Sequence, residues 1–144
     1  IFPKVLEADG LIIASPVYSG RLSGYLACFL DRFRVFTFGN LYRERLHNKV
    51  AGALAVSWYR NAGVEMTIIS ILLACMGGEM ILVGPHHGLG RCDCAFITGA
   101  GGETGKFNPE DRHGVLKDEN LPTQPHPVGE RVVEIAKLLK AGTK

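Results

Sequence analysis

No stretch of this 144-residue chain is long and apolar enough to span a bilayer. The longest apolar run, Ile68 to Met76, is interrupted by Ser70 and falls well short of the ~20 residues a membrane helix requires. No signal-peptide pattern is visible either, so a soluble, cytoplasmic protein with no membrane partner is expected. Charge of one sign is also missing. Sixteen basic and fourteen acidic side chains leave a formal charge of +2 with no basic stripe, which argues against nucleic acid as a partner. Cysteine is scarce and scattered, at Cys28, Cys75, Cys92 and Cys94, which argues against a disulfide framework and for reduced thiols. Cys28 and Cys75 lie in segments that read as buried helix faces. Cys92-Asp93-Cys94, close to His86 and His87, lacks the paired CxxC spacing of a zinc knuckle, and no metal site is expected there. GAGGETG at 99–105 lacks the GK[ST] ending of a phosphate loop and reads as a mobile loop. There is no repeat of fixed period and no acid–base triad.

What is present is an alternation of short apolar runs with helical periodicities. A composition of 47% hydrophobic and 21% charged residues suits a single globular unit over 1–144. Leu11 to Ala14 reads as a parallel strand covered on both faces. Ser15-Pro16 is expected to end it, because proline removes a ladder donor and biases the preceding residue. SPVYSG (15–20) then becomes a loop at the carboxyl end of a strand, the edge of an open α/β sheet where ligands bind. Leu22, Tyr25, Leu26, Phe29, Leu30 and Phe33 recur at spacings of three and four, predicting a helix with these residues in the core and Ser19 or Ser23 as its cap.

Phe36 to Asn48 reads as a connector with a turn at Gly39-Asn40. Val50 to Val56 predicts a second parallel strand ending in SWYRNAG (57–63), where Asn61 and Gly63 permit tight backbone turns. Glu65 to Met76 follows as an apolar helix stopped by Gly77-Gly78, and Met80 to Val83 as a third strand. Strand, polar loop and helix in repetition argue for βαβ units and a parallel sheet. His86 to Pro127 is a long excursion rich in glycine and proline, with one short strand at Ala95 to Thr98. Loops of that length usually cover a site or a subunit contact, so a homo-oligomer is expected. Val128 to Leu139 restores helical periodicity.

Two blocks, ADGLIIASPVYSGRLSGYLACFLDRF (8–33) and LHNKVAGALAVSWYRNAGVEMTIISILLACMGGEMILVG (46–84), resemble the flavodoxin-like NADPH-dependent FMN reductases, including iron–sulfur flavoproteins and NAD(P)H:quinone oxidoreductases. The resemblance implies a flavodoxin-like, three-layer α/β fold with a parallel sheet, of which this chain is the carboxyl-terminal part. The first two family strands, and the hydroxyl-rich turn that would cradle the FMN phosphate, lie outside it. The chain opens on Ile1, and Phe2 to Ala8 reads as the end of a helix. The resemblance further implies FMN as cofactor and NAD(P)H as co-substrate, with electrons passing to a small-molecule or protein acceptor: a quinone, a flavin or an iron–sulfur partner. An iron–sulfur cluster in the protein itself would require cysteines upstream.

By position, the implied flavin contacts are Ser15, Pro16, Val17 and Tyr18 in the first loop. In the second they are Trp58, Tyr59, Arg60, Asn61, Ala62 and Gly63. The residue types suit that assignment. A flavin is a flat apolar ring with a polar edge and needs close backbone approach, N–H donors and flat side chains. Gly20 and Gly63 allow approach, Tyr18, Trp58 and Tyr59 offer surfaces, and Arg60 can stabilise negative charge on the reduced ring. Two other readings remain open at this level: a non-enzymatic FMN electron carrier, and a truncated chain that binds no cofactor.

Overall fold

The computed structural model describes residues 1–37, 39, 41–58, 62–84, 96–98, 116 and 125–142. Helix α1 (Phe2–Glu7) leads into strand β1 (Gly10–Tyr18), a two-residue strand β2 (Arg21–Leu22) and helix α2 (Gly24–Asp31), which tightens into a 3-10 turn at Arg32–Phe36. Strand β3 (Val50–Ser57), helix α3 (Val64–Gly77), strands β4 (Ile81–Leu82) and β5 (Phe96–Thr98) and helix α4 (Pro125–Gly142) complete the order. β1 and β3 pair in parallel from Gly10↔Val50 to Pro16↔Val56. β4 and β5 both pair in parallel with β3, at its first two and last three residues respectively. Because β1 occupies the other side of β3, these two short strands follow one another along a single edge.

Residue parity assigns the layers. Ile13, Ala51, Ala53 and Ala55 join Leu30, Phe33, Val64, Ile68, Ile71 and Cys75 in the main core, beneath α2 and α3. The opposite face carries α4, which seats on a glycine pair: Cβ atoms placed at Gly10 and Gly52 would lie 2.8 and 2.7 Å from methyls of Val132 and Val128. Phe2, Phe29, Phe33 and Phe36 stack edge to face or nearly parallel and hold α1 against α2. Lys49, just before β3, donates its ammonium to the carbonyls of Leu6 and Ala8, so it caps the carboxyl end of α1. Burial holds that ammonium below the usual lysine pKa, while the Asp9 charge opposes the shift.

Several sequence expectations change. β1 does not stop at Ser15-Pro16 but runs to Tyr18, and the hairpin to β2 makes the sheet mixed rather than wholly parallel. The reason is geometric. Val50 donates to the Asp9 carbonyl, so odd-numbered residues of β1 turn their backbone polar groups toward β3 and even-numbered ones turn away. Pro16 is even, so its missing N–H falls on the edge away from β3 and breaks no bond of that ladder. Nor is β1 covered on both faces: Ile12 is half exposed, because α4 reaches only part of that side. Leu22 belongs to β2 rather than to the helix.

Tyr25, expected in the core, is 93% exposed, and Cys28, expected buried, is exposed. At about 100° per residue, the face centred on Leu26, Leu30 and Phe33 leaves both pointing outward. The prolines at 125 and 127, assigned to the excursion from sequence, lie in the first turn of α4, where a missing N–H costs nothing. The remainder of the 86–127 excursion, including Cys92, Cys94, His86 and His87, lies outside the described residues apart from Phe96–Thr98 and Leu116.

Cys75 is wholly buried in the core, and burial pushes its thiol from 9.0 up to about 11. Between those values the unfolded chain releases the proton while the folded chain retains it. Stability is therefore expected to fall as pH rises from 9 toward 11, by roughly 2–3 kcal/mol from this group alone. Urea unfolding at pH 8 and pH 10.5 measures the slope; Cys75→Ala should flatten it, and an unchanged slope would assign the loss to other groups.

Candidate functional site

The in-register pairing of β1 with β3 brings their carboxyl ends to one edge of the sheet. Ser15, Pro16, Val17 and Tyr18 stand there on β1 beside Ser57 and Trp58. The β1–β2 turn is made by Ser19 and Gly20, with φ of 51° and 76°, the double left-handed pattern of a tight hairpin. Gly63, at φ 87°, caps α3 on its amino side, and a Cβ there would lie 2.5 Å from Gly20. The two polar segments singled out from sequence thus touch through glycine backbones, in a contact no side chain at 63 can enter.

The first segment divides by parity. Ser15 is buried on the α2 side; its hydroxyl accepts from the Ser23 N–H at 3.0 Å and donates to the Pro16 carbonyl at 2.7 Å. Its side chain thus ties the strand end to the helix that follows. Ser23, not Ser19, is the cap of α2, accepting from the Leu26 N–H at 3.3 Å. Ser19 is taken up by the hairpin turn. Val17 is half-buried against the core, Pro16 is exposed, and Tyr18 presents its ring at 62% exposure.

Of the second segment, Trp58 is 39% exposed, and Ala62 and Gly63 are half-buried. Tyr59, Arg60 and Asn61 lie outside the described residues. Thr67, in the first turn of α3, is the one side chain among the described residues with a buried polar atom lacking a hydrogen-bond partner.

These features fit a flavin ring. An exposed tyrosine ring stands at the edge, an indole lies on the neighbouring strand end, and the Gly20–Gly63 approach brings bare backbone to the same corner. Among the described residues no cluster of His, Cys, Asp and Glu could hold a metal ion, and no helix is long and apolar enough to cross a membrane.

Comparison with known proteins gives the same direction. The sequence model of the NADPH-dependent FMN reductase family matches residues 1–87. An iron-sulfur flavoprotein of Methanocaldococcus jannaschii is 37% identical over 97% of this chain and 65% of its own length. An NAD(P)H dehydrogenase (quinone) of Afipia carboxidovorans is 31% identical over 91% of this chain and 64% of its own. The chain therefore spans about two thirds of the length of these relatives. A flavodoxin, WrbA-like protein from Agrobacterium tumefaciens superposes with a TM-score of 0.64 at 19% identity, covering 95% of this chain and 71% of that one, which supports the flavodoxin-like fold. A family match over more than half the chain, on the segment that carries both strand ends, shows that the chain belongs to the NADPH-dependent FMN reductase family.

Proposed function

We propose that the protein is an FMN-dependent NAD(P)H oxidoreductase whose flavin ring lies across the carboxyl ends of β1 and β3. The observation that carries this reading is the convergence of Tyr18, Trp58 and the Gly20–Gly63 contact on one sheet edge. FMN, when bound, supplies the acceptance of an electron pair from a nicotinamide and its delivery to a quinone, a flavin or an iron–sulfur partner. The chain's own part is to bind, orient and shield. Tyr18 covers one face of the ring, and Trp58 closes the side over β3. The Ser19–Gly20 turn fixes how near the backbone stands to the ring edge, and Gly63 holds the second loop against that turn. The FMN reductase family and the flavoprotein names among the relatives support FMN as the cofactor.

The protein reconstituted with FMN is expected to show flavin absorbance that NADPH or NADH bleaches under anaerobic conditions. A colourless protein that takes up no FMN would end the proposal, and flavin reduced only by a protein donor would make it an electron carrier instead. Tyr18→Ala is expected to weaken FMN binding about tenfold, the worth of ~1.4 kcal/mol of ring contact. Fluorescence quenching on titration with FMN measures it, and an unchanged dissociation constant removes Tyr18 from the site.

A further inference from the structure

The hairpin that ends β1 carries a second side chain to the edge where Tyr18 stands. Tyr18 and Arg21 are cross-strand partners in the β1–β2 pairing, one on each side of the Ser19–Gly20 turn. Residues paired in this way share a face of the sheet, with their Cβ atoms about 5 Å apart. The neighbouring pair says which face. Val17 and Leu22 pack against the main core, so Tyr18 and Arg21 turn the other way, to the face that carries α4.

Arg21 is exposed there, as are Pro16 and Tyr18, and it makes no ion pair among the described residues. The placement of the acidic groups explains why. Glu65 lies in the first turn of α3, which packs on β2, but α3 belongs to the opposite layer and Glu65 faces outward from it. On the face of Arg21 the first turn of α4 holds no acidic residue, and Glu130 in its second turn is paired with His126 at 3.7 Å. The other described arginines and lysines lie away from this edge. They belong to α1, to the segment 32–49 that returns the chain to the amino end of β3, or to α4 from its second turn onward. That helix runs from Gly52 at Val128 to Gly10 at Val132, toward the amino ends of the strands. Among the described residues Arg21 is therefore the one cation at the carboxyl ends of β1 and β3.

We propose that Arg21 recognises a phosphate of the nicotinamide co-substrate. The inference rests on the oxidoreductase reading above and adds to it the group that selects the electron donor. Tyr18 covers one face of the flavin ring and leaves the other to the nicotinamide, whose ribose and phosphates extend beyond the ring toward solvent. An exposed guanidinium at the edge meets them there, on a two-residue turn whose backbone is fixed rather than on a long loop. Its planar fork of N–H donors matches phosphate geometry and keeps its charge at any working pH. The FMN phosphate is the other anion of this chemistry, and the family resemblance assigns it to a turn outside this chain.

Calorimetric titration of the FMN-loaded full chain with NADP+ and with NAD+, together with steady-state kinetics on NADPH and NADH, tests this. Arg21→Gln is expected to raise the dissociation constant for NADP+ about tenfold. KM should rise with it while kcat changes by less than about twofold, because the contact is made equally in the ground and transition states. Arg21→Lys keeps the charge without the fork and should recover part of the loss. Arg32→Gln, at an exposed arginine past the other end of α2, should change neither quantity, which separates a contact from general attraction of an anion. The two donors tell which phosphate is held. A loss confined to NADP+ and NADPH puts Arg21 on the 2′-phosphate, and an equal loss with NAD+ and NADH puts it on the pyrophosphate; either result supports the proposal. An Arg21→Gln protein that binds both nucleotides as the unsubstituted chain does overturns it and leaves the oxidoreductase reading standing. So does one whose affinity for FMN falls while that for the nucleotides holds, since the guanidinium then serves the FMN phosphate. A chain that takes up no FMN overturns both.

Discussion

Replacing Gly63 by alanine is expected to cost about 3 kcal/mol or more of folding stability and to weaken FMN binding in the same step. Two independent costs combine. The backbone at Gly63 has φ 87°, where an L side chain is strained by roughly 1–2 kcal/mol. The new Cβ would also lie 2.5–2.6 Å from three atoms of Gly20, all of them backbone. Backbone cannot swing aside as a side-chain tip can, so either the hairpin turn or the start of α3 must move, and both belong to the proposed flavin edge. Gly20→Ala is the control. Its φ of 76° imposes similar strain, but a Cβ there meets nothing within 4 Å, so only the conformational cost of ~1 kcal/mol is expected. Urea unfolding separates the two variants. Equal losses would mean that the Gly20–Gly63 approach contributes nothing.

Ser15→Ala should destabilise by about 2 kcal/mol, more than Ser23→Ala, although Ser23 is the residue that caps the helix. The Ser15 hydroxyl is the acceptor for the Ser23 N–H, and both residues are buried, so its removal strands a donor away from water. Ser23→Ala removes only the hydroxyl that accepts from Leu26 and leaves the Ser15 bond in place, a cap loss of ~1 kcal/mol. The two variants should also differ in FMN affinity. Ser15 couples the end of β1 to the start of α2, so its loss loosens the strand end on which Tyr18 stands, whereas loss of the cap frays only the helix. Thermal unfolding with and without FMN tests both statements, and a larger effect at Ser23 would show that the cap, not the strand clamp, holds this corner.

The amino-acid sequence by itself determined the order of the main strands and helices, and it singled out 15–20 and 57–63, the two segments whose glycines the structure brings together. Apolar runs at 11–14 and 50–56, each followed by polar residues and then helical periodicity, suffice for that, because burial on a parallel sheet and on a helix face leaves different repeats. The family resemblance added FMN. Ser15, Tyr18 and Gly63 were singled out in the sequence, but their structural tasks were not legible there.

Those tasks were decided by tertiary structure, for physical reasons a linear reading does not contain. Pro16 looked like a strand terminator because the direction of its missing N–H depends on which neighbour lies on which side. Tyr25 and Cys28 fit a helical spacing that includes Leu26 and Phe29, but the part of that stripe facing the sheet is set by where α2 seats. The apolar character of α3 was plain in the sequence. That half of it faces outward could be known only once the sheet had taken the other half.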